Sequence, residues 1–307
     1  MDTYIGIDWG GTYIKSGLVS EKGTVIAKEV FSSSLLKKKK VFIETVSRLV
    51  KKYANRRIGA IGIGAPGIID TTKGFIYYLP NIAGWKNYPL KTILQKKLRV
   101  PVFVDNDANV FALAEARLGA AKKTKRAIFL TLGTGLGGAV IWNGNILEGR
   151  ASASEIGHVP IAIEGRPCSC GGNGCIETFV GAPHLLSHYA LLEPGARVTE
   201  VKEIFRRALA HDPSAITVWR NFAHALGKFL GGMVNIFNPE IIVLGGGVAG
   251  AFSFFKPLLE RAIRTQAMWP NHKGLRLVRA RLSDPGIIGA GLLAKERLNR
   301  ASQSYSR

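Results

Sequence analysis

Tyr4-Ile5-Gly6-Ile7-Asp8-Trp9-Gly10-Gly11-Thr12 and, far downstream, Ala127-Ile128-Phe129-Leu130-Thr131-Leu132-Gly133-Thr134-Gly135-Leu136-Gly137-Gly138 follow one pattern: an apolar strand running into a glycine-rich turn. Each continues as a second strand, Ile14 to Val19 in the first and Ala139 to Trp142 in the second, where Asn143-Gly144 adds a hairpin signal. The two read as one supersecondary unit used twice, which makes internal duplication the main clue to the architecture. A third segment, Ile241 to Val248, repeats the strand and the glycines and leads into a helix.

Between these segments lie strand–loop–helix units. Ile58 to Gly64 ends in Ala65-Pro66-Gly67, and Val102 to Val104 ends in Asp105-Asn106-Asp107 with helical composition from Ala108 to Leu118. Such alternation predicts an α/β protein with parallel strands, whose ligands gather at the C-terminal strand ends. Further helices are expected over 41–54, 200–211, 215–237, 253–267 and 287–298. The duplication puts a domain boundary near residues 110–120. Residues 1–114 with 287–307 are expected to form a small α/β domain, and residues 115–286 a large α/β domain carrying the cysteines.

A chain of 307 residues with 47% hydrophobic side chains can bury a sizeable core, which excludes general disorder. With 42 basic and 21 acidic side chains it carries a net charge of +21. That balance favours anionic partners and says nothing of the fold. The charge is spread along the chain, somewhat more densely in residues 1–114, and the one like-charge run, Lys37 to Lys40, reads as a solvated loop. The N-terminus has no signal-peptide pattern. The uncharged stretch Ala127 to Leu147 is long enough to span a bilayer, but its glycines and Asn143-Gly144 make it two strands around a turn. A cytoplasmic protein with no membrane partner is expected.

Three constellations carry chemistry. Backbone N–H groups reach a phosphate only where no Cβ intervenes, so Asp8-Trp9-Gly10-Gly11-Thr12 and Gly133-Thr134-Gly135 suit phosphate binding, with a hydroxyl donor from each Thr. Asp8 would hold Mg²⁺ through water, and Lys15 would add charge. Neither the Walker pattern nor the dinucleotide fingerprint is present. In Asp105-Asn106-Asp107-Ala108-Asn109 a carboxylate at a strand end suits proton abstraction from a hydroxyl that Asn106 orients. Taken alone, Asp107 reads better as a helix cap. Third, Glu155-Ile156-Gly157-His158 precedes Cys168-Ser169-Cys170-Gly171-Gly172-Asn173-Gly174-Cys175-Ile176-Glu177. His158, Cys168, Cys170 and Cys175 make a closed Cys₃His set, which suits structural Zn²⁺ and leaves no open position for hydrolytic chemistry. The other histidines read as surface or packing residues.

The ordered set of these motifs resembles the ROK family of repressors and sugar kinases. Gly64-Ala65-Pro66-Gly67, Pro80-Asn81-Ile82-Ala83-Gly84-Trp85 and Gly245-Gly246-Gly247 belong to the same set, and the likeness runs from Tyr4 to about Leu298. The resemblance implies the two-domain actin-like ATPase (ribonuclease H-like) fold, with nucleotide and sugar in the interdomain cleft. It implies Asp107 as general base and Asn81, Asn106, Glu155, His158 and Glu177 as ligands of sugar hydroxyls, His158 also ligating zinc. Asp8, Gly10, Gly11, Thr12 and Lys15 would face the phosphates with Gly133, Thr134 and Gly135, and Gly245, Gly246 and Gly247 would lie near the nucleoside. Trp9 replaces a smaller aliphatic residue usual in the family, and alternation turns it away from Asp8, so a packing change alone is expected.

The implied reaction is transfer of the γ-phosphate of ATP to a hexose, glucose to glucose 6-phosphate before others. Alternatives are an N-acylmannosamine, N-acetylglucosamine or fructose kinase. A sugar-responsive transcriptional regulator is disfavoured, because the first strand begins at Tyr4 and no recognition-helix pattern accompanies the basic charge. No specific nucleic-acid partner is therefore expected. The family suggests a homodimer, and some relatives use inorganic polyphosphate as donor.

Overall fold

The computed structural model describes residues 2–34, 37–80, 82–149 and 151–304. β1 (Thr3–Trp9) turns through Gly10 to Thr12 and returns antiparallel as β2 (Tyr13–Ser20), which pairs with β3 (Val25–Ser32). On its other side β1 pairs in parallel with β4 (Ile58–Ala65). A small antiparallel sheet follows, β5 (Ile68–Asp70), β6 (Phe75–Tyr78) and β7 (Lys86–Tyr88), before β8 (Val102–Asn106) joins β4 in parallel. The main sheet has the order β3-β2-β1-β4-β8.

A second five-stranded sheet repeats that plan. β9 (Ala127–Leu132) and β10 (Leu136–Trp142) form the antiparallel pair, β11 (Asn145–Ile146) is the short edge, and β12 (Ile241–Gly245) and β13 (Arg276–Arg279) add in parallel. Its order is β11-β10-β9-β12-β13. The duplication is thus visible as topology. It also shows that the third glycine cluster, at the end of β12, is the counterpart of the end of β4 and not a third copy of the hairpin. Asn143 and Gly144 both have positive φ, 50° and 78°, as the tight hairpin turn requires.

The helices are α1 (Lys39–Lys52), α2 (Leu90–Leu98), α3 (Asp107–Arg117), α4 (Glu177–Val180), α5 (Ala182–Leu192), α6 (Val201–Leu209), α7 (Pro213–Phe237), α8 (Phe252–Gln266) and α9 (Pro285–Ser304). None of them is long and apolar enough to cross a membrane. The lysine run is not wholly a loop: Lys39 and Lys40 form the first turn of α1, with Lys39 Nζ 4.5 Å from the centroid of the Tyr88 ring. That contact and the apolar face of α1 offset the unfavourable charge at a helix N-terminus.

The chain divides into two compact units: residues 1–122, 146–153 and 281–307, and residues 123–145 and 154–280. The sequence placed boundaries at 114/115 and 286/287. The first unit extends further because α3 runs to Arg117 and Ile146 packs on the cluster formed by Val110, Leu113 and α9 residues. In its core Trp9 is fully buried, stacked on Phe42 at 4.1 Å between centroids and edge-on to Trp85 at 4.7 Å. The substitution at Trp9 is therefore met by aromatic packing. α9 lies on β1 and β4 at backbone distance: a Cβ at Gly62 would overlap the Ala290 carbonyl oxygen, which is why this buried strand reads Ile-Gly-Ile.

Candidate active site

In the first unit the phosphate-type turn is built on the β1–β2 hairpin. Gly10 N–H donates to the Tyr13 carbonyl at 3.0 Å, and Gly11 and Thr12 are exposed. Asp8 stands one residue before the end of β1, directly opposite Lys15 and beside Gly64 of β4. Burial pushes the Asp8 carboxyl above its ordinary range; Lys15 opposes this and Asp284 adds to it. A cation near Asp8 would relieve that penalty, so the residue fits a metal-bearing phosphate. A neighbour the sequence analysis did not single out is Gly286, at the head of α9, where a Cβ would overlap the Asp8 carboxylate. Asp284-Pro285 is a helix-start signal that marks this position.

At the head of α3 the structure separates the two carboxylates. Asp105 is 3% exposed and accepts from Asn106 N–H at 2.7 Å and Asn109 Nδ2 at 2.8 Å, so its part is structural. Burial raises its pKa, and those two hydrogen bonds oppose the rise. The helix cap is Asn106, not Asp107: Asn106 Oδ1 accepts from Ala108 N–H at 2.8 Å, and its Nδ2 donates to the Gly67 carbonyl at 3.2 Å. The amide is a better cap there because β8 leaves Asn106 with extended backbone, as a capping residue requires. Asp107 is half-buried at the first helical position. Asn81 lies outside the described residues.

In the second unit His158 ends a short turn of 3₁₀-helix, and the cysteines follow in a tight loop closed by Cys168 N–H to the Gly172 carbonyl at 2.8 Å. The ligand atoms of His158, Cys168, Cys170 and Cys175 lie within 4.8 Å of one another. His158 Nδ1 is 3.4 Å from Cys168 Sγ, and Cys170 Sγ is 3.7 Å from Cys175 Sγ. Around a tetrahedral zinc with Zn–S near 2.3 Å, two sulfurs stand about 3.8 Å apart, so the donor set fits the ion. Burial pushes the Cys175 thiol up to about 12, whereas the Gly172 N–H lowers Cys170. A bound cation would remove the penalty on the buried thiolate.

Glu177, at the end of that loop, is where this unit comes together. Its Oε2 accepts from Leu136 N–H at 2.9 Å, and its Oε1 lies 3.8 Å from Cys168 Sγ. One carboxylate thus joins the cysteine loop to the turn Gly133-Thr134-Gly135. A Cβ at Gly135 would overlap Glu177 Oε2, so the glycine is needed for the carboxylate as much as for a phosphate. Gly135→Ala is expected to swing Glu177 away and leave the buried Leu136 amide unpaired, at a cost of about 1–3 kcal/mol. Chemical denaturation measures it, and an unchanged midpoint would show the carboxylate dispensable there.

Two further contacts complete the turn: Ala182 N–H donates to the Gly133 carbonyl at 2.9 Å, and Gly133 N–H donates to the Gly135 carbonyl at 3.0 Å; Thr134 is exposed. Gly245 pairs in register with Thr131, which sets Gly246 and Gly247 beside the same turn. Gly246 has φ 84° and abuts the Leu132 carbonyl. Glu155 and His158 are half-buried at the two ends of the 3₁₀ turn, and Gly157 packs against the Leu136 carbonyl. Of the remaining histidines, His184 meets the Arg166 guanidinium and stacks on His188; burial and Arg166 push it down to about 4, so it is neutral at physiological pH.

A glucokinase of Halalkalibacterium halodurans is 36% identical over 96% of both chains. A xylose repressor of Caldicellulosiruptor bescii is 30% identical over 92% of this chain and 75% of its own. The crystal structure of a ROK family glucokinase from Streptomyces griseus with glucose and AMPPNP superposes with a TM-score of 0.83 at 29% identity, covering 96% of this chain and 99% of that one. The α/β architecture is therefore that of the two-domain actin-like ATPases. Residues 4–297 match the ROK family along nearly their whole length, and the chain belongs to that family.

Proposed function

We propose that this protein is an ATP-dependent hexose kinase, with glucose to glucose 6-phosphate as its main reaction. The observation that carries the reading is Glu177: it ties an open glycine turn suited to phosphate to a loop rich in groups that bind hydroxyls. Its likeness to glucokinases supports the same reaction.

Phosphoryl transfer asks the protein for position and charge rather than covalent chemistry. Asp107 accepts the proton of the attacking sugar hydroxyl. Asn81, Asn106, Glu155, His158 and Glu177 hydrogen-bond the other hydroxyls and fix which one attacks. The turns at Gly10 to Thr12 and Gly133 to Gly135 face the phosphates, with Gly10 and Gly133 N–H bonded within their turns and the N–H groups of the residues after them turned to the ligand; Lys15 adds charge, and Gly245 to Gly247 border the nucleoside. Asp8 would hold Mg²⁺ through water, and that ion supplies neutralising charge on the phosphates. His158, Cys168, Cys170 and Cys175 would hold a structural Zn²⁺, which orients Glu155 and Glu177 without meeting the reacting atoms.

The working protein is a cytoplasmic homodimer in this reading. The +21 charge, spread along the chain, reads as a solvated surface; a second reading is that part of it serves inorganic polyphosphate as an alternative donor.

The test is a coupled ADP-release assay with glucose, fructose, N-acetylglucosamine and N-acetylmannosamine as acceptors. Glucose is expected to give the highest kcat/KM. No sugar-dependent ADP release, together with a specific DNA shift at physiological salt, would replace this reading with that of a regulator. Repeating the assay with polyphosphate at low ionic strength decides the donor, and product should fall steeply as salt is added.

A further inference from the structure

Glu115 is completely buried on α3, and backbone amides surround it. Its Oε2 accepts from Ala120 N–H at 2.7 Å, and its Oε1 accepts from Arg281 N–H at 2.9 Å and Leu282 N–H at 2.8 Å. Its own carbonyl accepts from Gly119 and Ala121 N–H. A Cβ at Gly119 would overlap Oε2, so the turn after α3 is shaped to the carboxylate. Burying a carboxylate is costly, and these N–H donors are what make it tolerable here.

The amides that Glu115 binds stand next to two of the four places where the chain passes from one unit to the other, 122/123 and 280/281; the other two are 145/146 and 153/154. Beyond each of the first two the backbone is secured again. Lys125 and Arg126 N–H both donate to Glu240 Oε1, and Ala280 N–H donates to the Leu244 carbonyl at 2.8 Å. At these two crossings, what remains between the fastenings is Lys122 to Thr124, with Lys123 at φ 68°, and the peptide joining Ala280 to Arg281. Glu115 also shares α3 with Asp107, eight residues or about 12 Å along the helix.

We propose that Glu115 is a positioning residue: it fastens two of the four chain crossings to the helix that carries Asp107, and so limits the backbone freedom between the units at those two crossings to a few dihedrals. Its bearing on catalysis rests on the sugar-kinase reading; its bearing on the hinge does not. Hinges act through a few element-terminal positions far from the chemistry. Freed crossings would let the second unit wander relative to the helix bearing the base.

The test uses Glu115→Gln and, independently, Gly119→Ala. In the glutamine variant one oxygen can still serve Arg281 and Leu282, but an NH₂ group then faces the Ala120 N–H. In the alanine variant the carboxylate stays and is displaced. Small-angle scattering of the unliganded full chain is expected to show a broader distance distribution for both variants, at a temperature where circular dichroism shows them folded. Sugar kinetics are expected to show kcat lowered by about 10- to 100-fold, the scale of a misplaced catalytic group.

A merely structural carboxylate would lower Tm and leave both the distribution and kcat as in the wild type; that result overturns the inference. A wild type without sugar-dependent ADP release would instead overturn the kinase reading, and the scattering alone then decides the hinge.

Discussion

Asp107→Asn is expected to lower kcat by about 10²–10⁴-fold, the range for loss of a general base, with Tm and sugar affinity close to wild type. The structure makes this a clean substitution. The cap of α3 is Asn106, whose Oδ1 takes the Ala108 N–H, so helix α3 keeps its start. Asp107 Oδ1 also accepts from Ala108 at 2.9 Å, which an asparagine oxygen can do as well. Steady-state kinetics, calorimetric sugar titration and a thermal melt separate the outcomes. Near-normal kcat would place the base elsewhere. Asp105 is the contrasting case. It is buried and bonded to Asn106 and Asn109, so its replacement should cost stability first.

Cys170→Ser is expected to remove most of the metal and, with it, most of the sugar affinity. Disturbing even the outer partners of a bound metal costs about 10–100-fold in affinity or activity, and a lost thiolate ligand should cost at least as much. Cys170 is the exposed cysteine of the three, so the serine opens no core cavity, and any loss is traceable to the ion. Sugar affinity follows because Glu177 closes the same loop and bonds Leu136. Elemental analysis of freshly purified protein and the KM for sugar measure the two effects. Wild-type protein without metal and fully active would remove zinc from the account.

Much of this molecule is local in sequence and was legible there. The duplicated hairpin shows as strand–glycine–strand twice. The Cys₃His set shows because all four donors fall between His158 and Cys175, where a short loop can only bring them together. The expected ranges of α1, α3, α6, α7 and α8 fall within a few residues of their bounds, and that of α9 starts two residues late and stops six short of Ser304, because amphipathic period is a property of adjacent residues. α2 and the α4–α5 pair escaped notice. α2 has only four apolar positions, α5 is apolar at most of its positions and so shows little contrast between faces, and α4 is one turn long, held by the loop before it rather than by its own periodicity.

What belongs to tertiary structure is the use of particular polar groups. Asp105, Asn106 and Asp107 are chemically similar and adjacent, and only the turn from β8 into α3 makes one structural, one a cap and one half-buried at the head of the helix. Glu115 looks like any glutamate on a helix until α3 is buried nearly all round and the chain returns at Arg281, more than 160 residues later, to donate its amides. Glu177 likewise meets Leu136 across 41 positions. Sequence period reports which face a residue occupies. It does not report which distant backbone arrives at that face, and for a buried carboxylate that arrival decides whether the charge is tolerated and what it holds in place.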